Sequence, residues 1–136
     1  MNFDLLTMME HKPPMLLVDE IQEAGDDYIV TAFSVRPDTL FLDGGVLRTE
    51  ALAEVMAQSV AALNAYKAWK NGKPSEKGFL VMLKKVVFSG EAAVGDTLRC
   101  RMEITDFLAQ TYIANGQVCK EGRVIADGEI RIYAWG

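Results

Sequence analysis

Few side chains in this sequence suit buried acid–base chemistry, and the most unusual sit in the stretch 41–59, FLDGGVLRTEALAEVMAQS. Glu50, Glu54 and Gln58 recur every fourth residue, so in a helix they share one face. Their neighbours there are Ala53, Ala57, Ala61 and Ala65, where a solvated face would carry lysines and more acids. Alanine lets another backbone or a ligand come close. The pattern therefore predicts a covered face, with a partner subunit as the simplest cover; alanine's high helix propensity is the competing explanation. A carboxylate under such a cover must find hydrogen-bond donors or give up its charge. That makes the glutamates candidate general acids or bases. Just upstream, Gly44, Gly45 and Val46 offer backbone amides at an expected helix N-terminus, where glycine admits a carbonyl or oxyanion to close range. Asp43 suits an N-cap or turn at least as well as catalysis.

Partners for these acids are scarce. The chain has one histidine, His11, far upstream. Cys100 and Cys119 lie in alternating segments with no CxxC or Cys/His spacing, so they read as free thiols in a reducing compartment rather than as metal ligands. No metal and no diffusible cofactor is expected.

The elements that must position these groups follow from periodicity. A helical turn is expected in FDLLTMM, stopped by Pro13 and Pro14. MLLVDEIQEAG and YIVTAFSV read as two strands of a hairpin around Asp26 and Asp27. From Val46 to about Trp69 one helical pattern runs, with Leu52, Val55, Met56, Ser59, Val60 and Leu63 on the core face. Gly72 and Pro74 end it. Four strand-like runs follow, broken at Gly90, Gly95-Asp96 and Gly122. Short turns make them mostly antiparallel neighbours, so the class is α+β: one long helix packed across a curved antiparallel sheet.

The 136 residues suit a single domain, 1–136, with a real core, and at 50% hydrophobic and 24% charged the composition is that of a globular chain. The net charge of −5 argues against nucleic acid. Lys67, Lys70, Lys73 and Lys77 could dock an acidic carrier protein, or be solvated lysines at a helix end. No apolar run approaches the ~20 residues of a membrane span. MNFDLLTMMEHK lacks the basic start and cleavage site of a signal peptide, so a cytoplasmic location is expected.

Three blocks carry a family resemblance. HKPPMLLVDEI (His11 to Ile21) resembles the N-terminal His-Arg-x-Pro-Phe-Leu-Leu-Val-Asp motif of β-hydroxyacyl-[acyl-carrier-protein] dehydratases. EVMAQS (Glu54 to Ser59) resembles their central-helix Glu-Ala-Met-Ala-Gln, and GFLVMLKKVVFSGEAAVGDTLRCRMEI their later strand–turn–strand segment. The blocks keep order and approximate spacing over most of the chain. The resemblance implies a hot-dog fold, a long helix wrapped by an antiparallel sheet, with two subunits placing their helices face to face. It implies Glu54 as the catalytic acid with Gln58 in support, and Gly44, Gly45 and Val46 as the amides that hold the substrate carbonyl. Counting forward from Gly45-Val46 would instead put Glu50 in the acid's place; the Met-Ala-Gln match favours Glu54.

The sequence departs from the family where it matters most. Family members carry a histidine in a His-Phe-Pro-Gly segment before the helix, and it pairs across the dimer with the helix glutamate. Here that segment is TLFLDGGVL, without histidine. By the resemblance, His11 matches a motif histidine that is not the catalytic one. A divergent dehydratase-like branch is implied, acting on acyl carrier protein or CoA thioesters in fatty-acid or polyketide-like metabolism. The chain is expected in a homo-oligomer, dimer or higher, or in a heteromer. Three functions compete. One is a dehydratase whose histidine comes from a histidine-bearing paralogue in that heteromer or from an unexpectedly placed His11, since a homodimer lacks half the His/Glu machinery. Another is a thioesterase using a helix carboxylate. The third is a non-catalytic subunit of a heteromeric complex.

Overall fold

The computed structural model describes residues 3–135. A short helix, α1 (Leu5–Met8), is capped by Asp4, whose carboxylate accepts from the Leu6 amide at 3.1 Å. Strands β1 (Glu20–Ala24) and β2 (Tyr28–Ser34) form the expected hairpin. A tight two-residue hairpin, β3 (Leu42–Asp43) and β4 (Val46–Leu47), leads into the long helix α2 (Thr49–Lys70). Strands β5 (Lys77–Phe88), β6 (Thr97–Leu108), β7 (Thr111–Lys120) and β8 (Arg123–Trp135) complete the chain. The main sheet is antiparallel in the order β1-β2-β6-β7-β8-β5. One long helix against a six-stranded antiparallel sheet is the hot-dog α+β architecture.

The core forms where the two periodicities meet. On α2, Leu52, Val55, Met56, Ser59, Val60 and Leu63 are all buried. They face alternate residues of the sheet, among them Ile29, Cys100, Ala114 and Ile130. Ser59 is polar but satisfied: it donates to the Val55 carbonyl at 2.8 Å, and its oxygen lies 2.8 Å from the Thr31 hydroxyl. At 22 residues α2 is about 33 Å long. Its end is closed by Asn71, whose amide donates to the Lys67 carbonyl at 2.9 Å, and by Gly72 at φ 65°.

Two boundaries differ from the sequence reading. The helix starts at Thr49 rather than Val46, because Val46 and Leu47 pair with Asp43 and Leu42. Gly44 (φ 60°) and Gly45 (φ 81°) are the central residues of that hairpin, where both positions need positive φ. The apolar run Met15–Val18 is not a strand. Leu16, Leu17 and Val18 are nonetheless buried, each worth about 1.5–3 kcal/mol. They join the core as an extended arm laid along α2 instead of as part of the sheet.

Candidate active site

The polar row of α2 is graded from water to core. Glu50 is 60% exposed and pairs with Arg48 Nε at 2.7 Å. Glu54, one turn on, is 31% exposed. Gln58, a turn further, is 1% exposed. Gln58 is held on three sides. Its Oε1 accepts from the Leu17 amide at 2.6 Å, and its Nε2 donates to the Met15 carbonyl at 3.0 Å and to Glu54 Oε2 at 2.8 Å. The arm thus fixes Gln58, and Gln58 fixes Glu54. One carboxylate oxygen has a neutral amide donor, and the other has no protein donor among the described residues.

The same arm brings in His11. Its Nε2 stands 3.9 Å from Glu54 Oε2, and its Nδ1 is buried without a hydrogen-bond partner among the described residues. His11 and Glu54 line a cavity of about 80 Å³ with Ala57, Ala61, Gly78 and Leu80. A cleft of about 270 Å³ adjoins it, sharing His11, Ala61 and Gly78 and reaching Ala65 and Glu76. Together they come to the lower end of the range in which small ligands are bound, about 300–1,000 Å³. A larger depression, about 670 Å³, lies elsewhere, between Arg99, Arg101 and Cys119, away from the helix acids.

The alanine face is covered, but its cover differs from the expected partner subunit. Ala53, Ala57 and Ala65 are buried within the chain itself, and Ala61 is half-buried. His11 from the arm, with Gly78, Leu80 and Ile132 from β5 and β8, supplies walls around Ala57 and Ala61. The small side chains let arm and sheet edge approach the helix while leaving a narrow space between.

The structure brings Glu54, Gln58 and His11 together and leaves the glycine amides apart. Gly44, Gly45 and Val46 belong to the β3–β4 hairpin, not to the N-terminus of α2. Val46 and Glu50 line a separate shallow hollow with Asp43 and Arg48. A Cβ added at Gly44 or Gly45 would meet nothing within 4 Å, so the hairpin tip stands open in the single chain. His11 is the residue that the sequence reading carried only as an alternative, and the structure places it beside Glu54. The signal was present: the chain's one histidine opens the HKPPMLLVD block, and that block is what packs on the helix.

Cys100 is buried under α2, and burial pushes its thiol up to about 12, partly opposed by the nearby Ser59 hydroxyl. It is not a nucleophile at neutral pH. Among the described residues no three His, Cys, Asp or Glu side chains gather closely enough to hold a metal ion, and no helix is long and apolar enough to cross a membrane.

Residues 3–135 match the family model of ApeP-like proteins, described as ApeP dehydratase. A 3-hydroxyacyl-[acyl-carrier-protein] dehydratase FabZ of Clostridium perfringens is 29% identical over 136 residues, covering 93% of each chain. Among solved structures, a chain of the dehydratase heterocomplex ApeI:P from Xenorhabdus doucetiae superposes with a TM-score of 0.91 at 18% identity, covering 100% of this chain and 93% of that one. A hypothetical thioesterase with coenzyme A from Streptococcus pneumoniae gives a TM-score of 0.67 at 14% identity, covering 86% and 88%. These two structural likenesses show the hot-dog fold.

Proposed function

The chain belongs to the ApeP-like dehydratase family, and from that membership we propose that it removes water from 3-hydroxyacyl thioesters on an acyl carrier protein or CoA. The setting is fatty-acid or polyketide-like metabolism, and a cytoplasmic location goes with it. The observation that carries the reading is the Glu54–Gln58 pair. A carboxylate is fixed at 2.8 Å by a buried amide, at the mouth of a space floored by alanines. Elimination needs the α-proton removed and the β-hydroxyl protonated, and a positioned carboxylate can do either.

The site is small in one chain, and the Gly44, Gly45 and Val46 amides do not reach it. Backbone amides from a second chain would enlarge and complete it, and the open β3–β4 hairpin tip is free to meet such a chain. The sheet's two edges differ in the way this requires. The β1 edge exposes Glu20, Gln22 and Glu23. The β5 edge carries exposed Lys77, Lys84 and Lys85 but also exposes Phe79, Val81, Met82, Leu83 and Val87, each at 44% or more. A long edge strand with an apolar row is a template for another chain, whereas charges blunt an edge. We assign β5 as the surface for a second copy or for a histidine-bearing paralogue. That the similar Xenorhabdus doucetiae chain comes from a dehydratase heterocomplex favours the paralogue.

The test is a carrier-protein assay read by mass spectrometry. The chain alone, and mixed with a histidine-bearing family member, is given 3-hydroxyoctanoyl-[acyl carrier protein]. Loss of one water is expected from at least one preparation, and Glu54→Gln should slow it by about 10³-fold. Release of free acid instead of enoyl product would make this a thioesterase. Product formed only with the partner, at a rate indifferent to Glu54→Gln, would make it a non-catalytic subunit.

A further inference from the structure

We propose that His11 is a catalytic residue of this site, donating a hydrogen bond from Nε2 to the thioester oxygen while Glu54 carries the proton. The inference rests on the dehydratase reading and deepens it: the acid and its polar partner come from one chain.

Three observations place His11 in this role. It lines the same cavity of about 80 Å³ as Glu54, against Ala57, Ala61 and Gly78, and that cavity adjoins a cleft of about 270 Å³. Its Nε2 is 3.9 Å from Glu54 Oε2, too long for a hydrogen bond, so Glu54 does not consume that donor. Its Nδ1 is buried without a partner among the described residues. Orphaned buried N–H groups are rarer than under-satisfied acceptors, which puts the lone pair on Nδ1 and the hydrogen on Nε2. A packing histidine would be expected to find a partner for its buried nitrogen. This one lines the cavity that Glu54 also lines.

The chemistry then closes without a second acid. Glu54, as carboxylate, takes the α-proton, and the electrons of that C–H bond form the thioester enolate. Nε2–H of His11 bonds the enolate oxygen as charge builds there. The enolate electrons form the C2–C3 double bond as the C3–O bond breaks. The departing hydroxyl takes back the proton held by Glu54 and leaves as water. Glu54 and His11 end as they began.

The distinguishing variants are His11→Leu, which removes the donor, and His11→Gln, which keeps an N–H. In whichever preparation forms enoyl product, His11→Leu should lower kcat about 100-fold, with a smaller change in KM, while His11→Gln stays within about tenfold of the parent. A His11→Leu variant within threefold of the parent overturns the inference and leaves the dehydratase reading standing. His11→Gln as inactive as His11→Leu overturns the donor role. A binding measurement covers a silent enzyme. With one histidine in the chain, ¹⁵N labelling gives a single imidazole to follow. An uncleavable 3-hydroxyoctanoyl-pantetheine amide should move its Nε2 resonance saturably. No movement overturns the proposal; movement without enoyl product in any preparation sinks the reading and keeps His11 as a ligand contact.

Discussion

Glu50 and Glu54 are the same chemical group on one helix, one turn apart, and they live in different environments. Glu50 stands in water beside Arg48, a neighbour it could find in any isolated helix. Glu54 is held by Gln58, which is held in turn by the backbone of residues more than forty positions upstream. The lesson is that the helix supplies the spacing and the arm supplies the environment. An acid becomes a candidate catalyst where a distant segment closes over it.

The most damaging way to break that contrast is to remove the link between arm and acid. Gln58→Leu keeps the volume and the burial but strips three hydrogen bonds. The buried Leu17 amide and the Met15 carbonyl lose their partner, and Glu54 loses its donor. Leaving such groups unpaired should cost about 2–3 kcal/mol, readable as a lower urea midpoint at unchanged m-value. Activity should fall further than stability explains, because Glu54 is no longer aimed. A variant with full stability and full activity would mean that the arm only packs against the helix.

The fold was largely legible because its signals are local. Alternation gave β5 to β8 nearly to the residue, and the i, i+3, i+4 spacing of Leu52, Val55, Met56 and Leu63 gave the core face of α2. The failures came where a local signal had two readings. Gly44-Gly45 read as a helix N-terminus, and the pairing of Val46 with Asp43 made it a hairpin turn. Met15–Val18 read as a strand, since apolar runs look alike whether they pair or merely pack. The alanines correctly implied a cover, but periodicity on one helix cannot say which segment provides it. His11 could be carried only as an alternative for the same reason: its distance from Glu54 is set by how the arm folds back, which is a long-range contact.

The contrast between a group held from water and one left near it recurs in the two thiols. Cys100 is buried beneath α2, while Cys119 is only partly covered. Burial raises the Cys100 thiol from its ordinary 9.0 to about 12. Below pH 9 it is protonated in both states, and its contribution to stability is fully present. As pH climbs from about 9 towards 12 the unfolded chain releases this proton while the folded chain keeps it, so stability is lost across that window. Under reducing conditions, Cys100→Ser should make the alkaline decline shallower by up to about 1.4 kcal/mol per pH unit. Equal slopes for parent and variant would show that the thiol is not sealed in the folded protein.

The smallest effect is expected at the solvated end of the row, and it tests the assignment of the acid directly. Glu50→Gln removes an exposed ion pair with Arg48, whose side chain is itself 59% exposed. Such pairs contribute roughly 0–1 kcal/mol and are screened by salt, so the thermal midpoint should barely move and should move less still in high salt. Turnover should stay within about twofold, since nothing positions Glu50 against the cavity that Glu54 lines. The outcome that reverses this is specific. If Glu50→Gln silences an active preparation while Glu54→Gln spares it, then the acid is the one reached by counting from Gly45-Val46. The shallow hollow beside Asp43 and Arg48 would then be one half of a site that a second chain completes.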